Sequence, residues 1–246
     1  LNTKKMSITK DTIISELVAK DYRVASVFKQ NKIDFCCNGN RSIDEACTLK
    51  NIDVATLIQQ LENATTQQQN NNIDYNTFPL DLLADYIEKK HHRYVETKIQ
   101  EILPFLEKIM KVHGDRHPEL ITVFDEFKES SGELTMHMKK EELILFPFIR
   151  KMVKATLDGT SVQAPFGTVQ NPISMMMSEH VAEGERFQKI ADLTNNYTPP
   201  ADACNTYKVT FALLKEYEED LHMHIHLENN ILFPKAIALE QTFATV

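Results

Sequence analysis

The chain has 246 residues, room for one bundle of ordinary size and a small second domain. Six glycines, no tryptophan and recurrent Leu, Ile, Glu, Lys and Met, without the regular turn punctuation of a β-chain, exclude an all-β protein and predict an all-α one. The net charge of −8 and the lack of a Lys/Arg cluster argue against nucleic acid. No apolar run approaches the ~20 residues that span a bilayer, and LNTKKMSITKDTIISELVAK lacks an apolar core followed by a small-residue cleavage site, so no membrane partner and a soluble, cytoplasmic protein are expected.

In chain order, the first elements are short amphipathic patterns, TIISELVAK, RVASVFKQ and DVATLIQQLEN, joined by the turn-rich DFCCNGNRS. Ser42 and Glu45 have capping-box spacing ahead of a further helix. Three of the four cysteines, Cys36, Cys37 and Cys47, fall within a dozen residues, which suits reduced thiols better than a disulfide framework. This predicts a small helical domain over residues 1–64 that presents Cys36 and Cys37 at a turn. Vicinal thiols there serve either redox or iron handoff, or simply structure. The polar run TTQQQNNN marks a linker over 65–77, because it has too little apolar surface to bury.

Residues 78–246 hold four long helical patterns, about 79–113, 118–154, 172–195 and 202–240. Pro79, Pro118 and Pro172 stand where a first-turn proline is tolerated, and Gly114 suits a stop. Pro104, Pro147 and Pro234 fall inside patterns and should kink or break them. Short connections after the first and third helices, with a longer crossover over 155–171, predict an antiparallel four-helix bundle.

The chemistry lies in an internal repeat. His137-Met-Lys-Lys-Glu141 and His224-Ile-His-Leu-Glu228 both follow H-x3-E-x4-F-P, and residues four apart share a helix face. His92 precedes His137 by 45 residues and His180 precedes His224 by 44, so each half supplies a lone histidine and a His-Glu pair. At 1.5 Å per residue, His92 lies ~33 Å from the Gly114 turn and His137 ~29 Å from Pro118, level in an antiparallel pair. The second half is less even, ~24 Å from His180 to Asn196 against ~33 Å from Asp202 to His224, so its turn must absorb a shift. His224 and Glu228 fall within the stripe Leu214, Tyr217, Leu221, Ile225 and Leu232, and His137 and Glu141 within Leu134, Met138, Ile144, Leu145 and Phe148. A buried carboxylate needs compensating charge, which a metal supplies. Nitrogen and carboxylate donors suit iron, manganese or zinc; two carboxylates able to bridge favour two metals, read here as iron. Six protein ligands leave open positions for something small.

Several neighbours accompany this set. Glu133 precedes His137 by four and Asp220 precedes His224 by four, so each is placed to accept the second imidazole N–H, unless it is an ordinary surface acid. Glu179 beside His180 is read either as a proton-handling group or as surface. His91 competes with His92: Ile99, Leu103, Leu106 and Met110 align with His92, whereas Leu80 and Ile87 align better with His91. His113 lies ~31 Å along the same helix and is set aside. His222 and His226 are read as facing solvent.

With HMKKEELILFP, MSEHVAEGE, HIHLENNILFP and DFCCNG in view, nearly the whole chain resembles the iron-sulfur cluster repair proteins of the RIC or ScdA family. The resemblance implies a hemerythrin-like bundle with a non-haem di-iron centre, ligated at His92, His137, His180 and His224 and bridged by Glu141 and Glu228. It further implies repair of clusters damaged by nitric oxide or peroxide, binding or reduction of nitric oxide, and a paired-cysteine motif at Cys36 and Cys37. Oxygen-carrying hemerythrins have a histidine four residues after the third-helix ligand, where this chain has Gly184, which argues against a simple oxygen carrier.

Three functions follow as expectations. The first is a repair factor that supplies iron to damaged iron-sulfur proteins; the second, a module that senses oxygen or nitric oxide; the third, a di-iron oxidase or nitric oxide reductase. Whether the chain is an enzyme, and whether it forms a homodimer, stays open at this level.

Overall fold

A computed structural model describes residues 7–66 and 73–243, so the centre of the polar run lies outside the described residues. No strand occurs among the described residues beyond an isolated Ile13–Ser42 bridge. No helix among them is long and apolar enough to cross a membrane. Two compact units divide the chain: Leu1–Phe78 with Ile225–Pro234, and Pro79–His224 with Lys235–Val246.

The first unit contains α1 (Ile14–Lys20), α2 (Ala25–Gln30), α3 (Ile43–Lys50) and α4 (Val54–Thr66). Ile14, Val18, Phe28, Ile43, Leu57 and Leu61 form its fully buried core. The capping box forms at α3: Glu45 N–H donates to Ser42 Oγ at 3.2 Å and Ser42 N–H to Glu45 Oε2 at 2.7 Å. Between α2 and α3 the chain turns through Asp34-Phe-Cys-Cys-Asn-Gly39. A Cβ at Gly39 would stand 2.5 Å from the Phe35 carbonyl oxygen, so only glycine closes this turn. Within the same unit, Asn229 Nδ2 donates to the Cys36 carbonyl at 2.9 Å and Asn230 Nδ2 to the Phe35 carbonyl at 3.2 Å.

The second unit is built on α5 (Leu80–Tyr86), α6 (Arg93–His113), α7 (Glu119–Lys140), α8 (Phe146–Asp158), α9 (Gln170–Leu193), and the parts outside Ile225–Pro234 of α10 (Asn205–Leu227) and α11 (Phe233–Phe243). Gly114 caps α6 and Pro118 precedes α7, the short link that antiparallel neighbours need. Phe127, Phe187 and Tyr217 pack as a ring cluster with centroids 5.3 to 6.4 Å apart. Residues 194–204 join α9 to α10, and three successive ones, Asn195, Asn196 and Tyr197, are left-handed.

Prolines act differently from the expected kinks. Pro104 lies inside an unbroken α6. Pro147 and Pro234 each follow, by two residues, a π-helical segment, Glu141–Leu145 and Glu228–Leu232. Proline lacks an N–H and its ring crowds the carbonyl four residues back, and a π turn accommodates both by inserting an extra residue. That extra residue rotates everything downstream. Ile144, expected in the buried stripe, is therefore 48% exposed, while Leu145 and Phe146 point inward.

Candidate metal centre

The π segments place the candidate ligands. His92 ends the segment Ile87–His92, which joins α5 to α6, and Glu141 and Glu228 each open one. His137 stands in the last turn of α7, His180 midway along α9 and His224 near the end of α10. All six side chains are buried, both carboxylates completely.

Carboxylates on neighbouring helices orient the rings. His92 Nδ1 meets Glu142 Oε1 at 2.9 Å and His137 Nδ1 meets Glu179 Oε2 at 2.8 Å. With each Nδ1–H donating outward, Nε2 keeps its lone pair for the interior. His92 Nε2 lies 3.4 Å and His137 Nε2 3.3 Å from the same Glu141 oxygen, and His180 Nε2 lies 3.0 Å from His137 Nε2. Arg93 also pairs with Glu142, and Lys140 with Glu179. The hydrogen bond from His137, aided by Lys140, outweighs partial burial and holds the Glu179 carboxyl down at about 2.

Two donor groups result, His92-Glu141-His224-Glu228 and His137-Glu141-His180-Glu228, each with ligand atoms within 4.8 Å of one another. Glu141 and Glu228 belong to both. That sharing, with only imidazole nitrogen and carboxylate oxygen as donors, fits two adjacent cations of the iron, manganese or zinc kind. Full burial of two carboxylates demands positive charge close by, since desolvation costs several kcal/mol per ion. An open groove of about 750 Å³ between α7 and α9 reaches His137 and His180, with Glu133, Glu179 and Glu183 on its walls.

Some neighbours differ from expectation. Of its two readings Glu133 takes that of the surface acid: it is half exposed and accepts from Arg186 at 2.8 Å, while His137 Nδ1 meets Glu179 at 2.8 Å. Asp220 accepts not from His224 but from His91, whose Nδ1 is 3.1 Å from both its oxygens. His91 is buried and stacks on His224 at 5.8 Å, while His92 alone of the two belongs to a donor group. His226 is buried, not solvated: it packs on Tyr22 at 5.0 Å, because Ile225–Pro234 is covered within the first unit.

Two residues escaped the sequence reading. Glu142 follows Glu141 directly, and the adjacent acid pair was its only signal. Glu183 is buried beside the groove, where Ser130 Oγ donates to it at 2.6 Å and Arg186 Nε at 3.1 Å. Burial pushes its pKa up, against the pull of Ser130 and Arg186.

At the Cys36-Cys37 turn, Asp34 Oδ1 accepts the backbone N–H groups of Cys36 at 3.0 Å and Cys37 at 2.9 Å, and lies 3.5 Å from Cys36 Sγ. The two sulfurs are 3.7 Å apart; Cys36 is buried and Cys37 partly exposed.

Inward imidazoles on antiparallel helices, with carboxylates common to two donor groups, define the hemerythrin class of cation-binding bundle, and the model described as hemerythrin HHE cation binding domain matches residues 83–236. A second model, ScdA_N, a domain of unknown function, matches residues 10–65. The iron-sulfur cluster repair protein ScdA of Staphylococcus haemolyticus is 32% identical over 229 residues, covering 93% of this chain and 99% of that protein. A probable iron-sulfur cluster repair protein of Haemophilus influenzae is 32% identical over 225 residues, 91% of this chain and 96% of its own. The iron-sulfur cluster repair protein YtfE of Yersinia pseudotuberculosis is 34% identical over 215 residues, 87% and 91% of the two chains. The chain belongs to this family of hemerythrin-domain iron-sulfur cluster repair proteins.

Proposed function

We propose that His92, His137, His180 and His224, with Glu141 and Glu228 bridging, hold two non-haem iron ions, and that the protein restores iron-sulfur clusters damaged by nitrosative or oxidative stress by supplying iron to them. The observation that carries this reading is the membership of both buried carboxylates in both donor groups. The relatives' names supply the repair context. When bound, the iron pair is both the cargo and a Lewis-acidic centre for diatomic ligands. The chain's own residues have separate tasks: Glu142 and Glu179 fix the imidazole tautomers, and the groove gives a path to His137 and His180. The Cys36-Cys37 turn would take part in redox or iron handoff, and the partners would be damaged iron-sulfur proteins.

The deciding experiment damages a cluster enzyme with nitric oxide and adds the iron-loaded protein without other iron. Recovery of enzyme activity with matching loss of iron from the donor is expected. An intact two-iron spectrum with no recovery rejects repair by donation. The groove favours one second reading, reaction with nitric oxide itself, which nitrous oxide formed over many turnovers with a reductant would reveal.

A further inference from the structure

We propose that Asp34, Cys36 and Cys37 form a second, separate metal site, a three-donor tetrahedral seat for a thiophilic divalent cation such as zinc or ferrous iron. A cation bound tetrahedrally at the usual lengths, ~2.3 Å to sulfur and ~2.0 Å to oxygen, sets its donors ~3.8 Å apart for sulfur–sulfur and ~3.5 Å for sulfur–oxygen. The turn already presents its sulfurs 3.7 Å apart and Asp34 Oδ1 3.5 Å from Cys36 Sγ. All three donor atoms lie within 4.8 Å of one another. In the turn as it stands the Cys36 thiol donates to Asp34 Oδ1; two thiolates and a carboxylate at these distances would repel one another, so a divalent cation that displaces the thiol protons is the charge that makes them compatible.

The turn is also held in shape from outside. The two backbone N–H groups fix Asp34 Oδ1, Asn38 Nδ2 donates to Asp34 Oδ2 at 2.7 Å, and Asn229 holds the Cys36 carbonyl. Gly39 keeps the chain tight against Phe35. A rigid donor set loses little entropy on binding. Binding balances as one divalent cation taken up and two thiol protons released to solvent, with no electron transferred. Three protein donors leave the fourth corner to water or an incoming ligand, the open arrangement of a site that exchanges its metal. The inference stands on this turn and not on the repair reading.

The test adds cobalt(II) to the full-length, iron-loaded protein under anaerobic, reducing conditions and follows the thiolate-to-cobalt charge-transfer band. Nitrogen and carboxylate donors in the bundle cannot produce that band, so the two sites are read separately. One equivalent per chain should saturate it. Cys36→Ser and Cys37→Ser should abolish it, Cys47→Ser and Cys204→Ser should leave it, and Asp34→Asn, which keeps the N–H acceptor but removes the charge, should weaken binding about tenfold or more. Unchanged circular dichroism and bundle iron content would show that the variants fold. No band at millimolar cobalt, a band that survives Cys36→Ser, or saturation at half an equivalent, which would mean a site shared by two chains, overturns the proposal.

Discussion

Glu179, the residue just before His180 on α9, reaches across to α7 and meets His137 Nδ1 at 2.8 Å, so one helix sets the tautomer of its neighbour's imidazole. Its carboxyl, held at about 2 against an ordinary 4.5, stabilises the fold above the ordinary value and loses that contribution as the pH falls towards 2. Glu179 is a third exposed, so solvent screening reduces the contribution to ~1 kcal/mol. Urea unfolding of the metal-free protein at about pH 6 and about pH 3, which is still above the folded value, should show wild type losing a little over half of that, ~0.6 kcal/mol, more than Glu179→Gln. Equal losses would show that the contact carries no net energy. At neutral pH the same variant should weaken iron binding ~10-fold or more, read by chelator competition.

On the proposed two-iron reading, the membership of Glu141 and Glu228 in both donor groups means that removing either should disturb both metal positions, whereas removing His180 should disturb one. Metal analysis should find Glu141→Ala and Glu228→Ala with less than one iron per chain, and His180→Ala with an intermediate content. Similar depletion in all three would argue against bridging. Iron stripped by a chelator should also lower the unfolding temperature, since a ligand bound only to the native state adds ~2.7 kcal/mol at a hundredfold excess over its dissociation constant.

The convergence of the His-Glu repeat was legible because H-x3-E-x4-F-P ties an imidazole and a carboxylate to a one-turn spacing that periodicity exposes, and Ser42-Glu45 was legible because a capping box is local chemistry. Ile144 was misplaced because a π turn alters the phase of the helix by one residue, and no periodic template contains it. The proline two residues beyond each π segment was visible, but read as a kink. Partners on other helices were the harder part: Glu142 with His92, Glu179 with His137 and Asp220 with His91 depend on helix register, whereas the i−4 rule can only suggest partners on the same helix. His226 went wrong for a related reason, since the face it occupies is covered by residues two hundred positions earlier.

Ser130 and Glu183 form a buried hydrogen bond of 2.6 Å, and Arg186 supplies the neighbouring charge. Ser130→Ala leaves a buried carboxylate short of a donor, so it should cost ~1–3 kcal/mol in urea unfolding. Adding Glu183→Leu should recover part of that loss, because an apolar pair no longer needs the bond, and the cycle should show coupling of ~1 kcal/mol or more. Strict additivity would place the energy elsewhere. Because burial raises the Glu183 pKa, its ionised form opposes folding; stability should fall as pH rises through that folded value, and Glu183→Gln should remove this dependence.

Asn229 and Asn230 directly follow Glu228, and their side-chain amides hold the carbonyls of Cys36 and Phe35. A buried carbonyl that loses its donor costs ~1–3 kcal/mol, but here the loss is confined to a turn that can open locally. Asn229→Ala should therefore leave global unfolding within about 1 kcal/mol of wild type, while amide exchange at residues 35–38 accelerates. Cys36, buried behind this turn, should then react faster with a bulky thiol reagent, and Cys204, already exposed, should not change. Mass spectrometry of the labelled peptides separates the two cysteines, and equal Cys36 labelling in wild type and variant would show that the turn is held without Asn229.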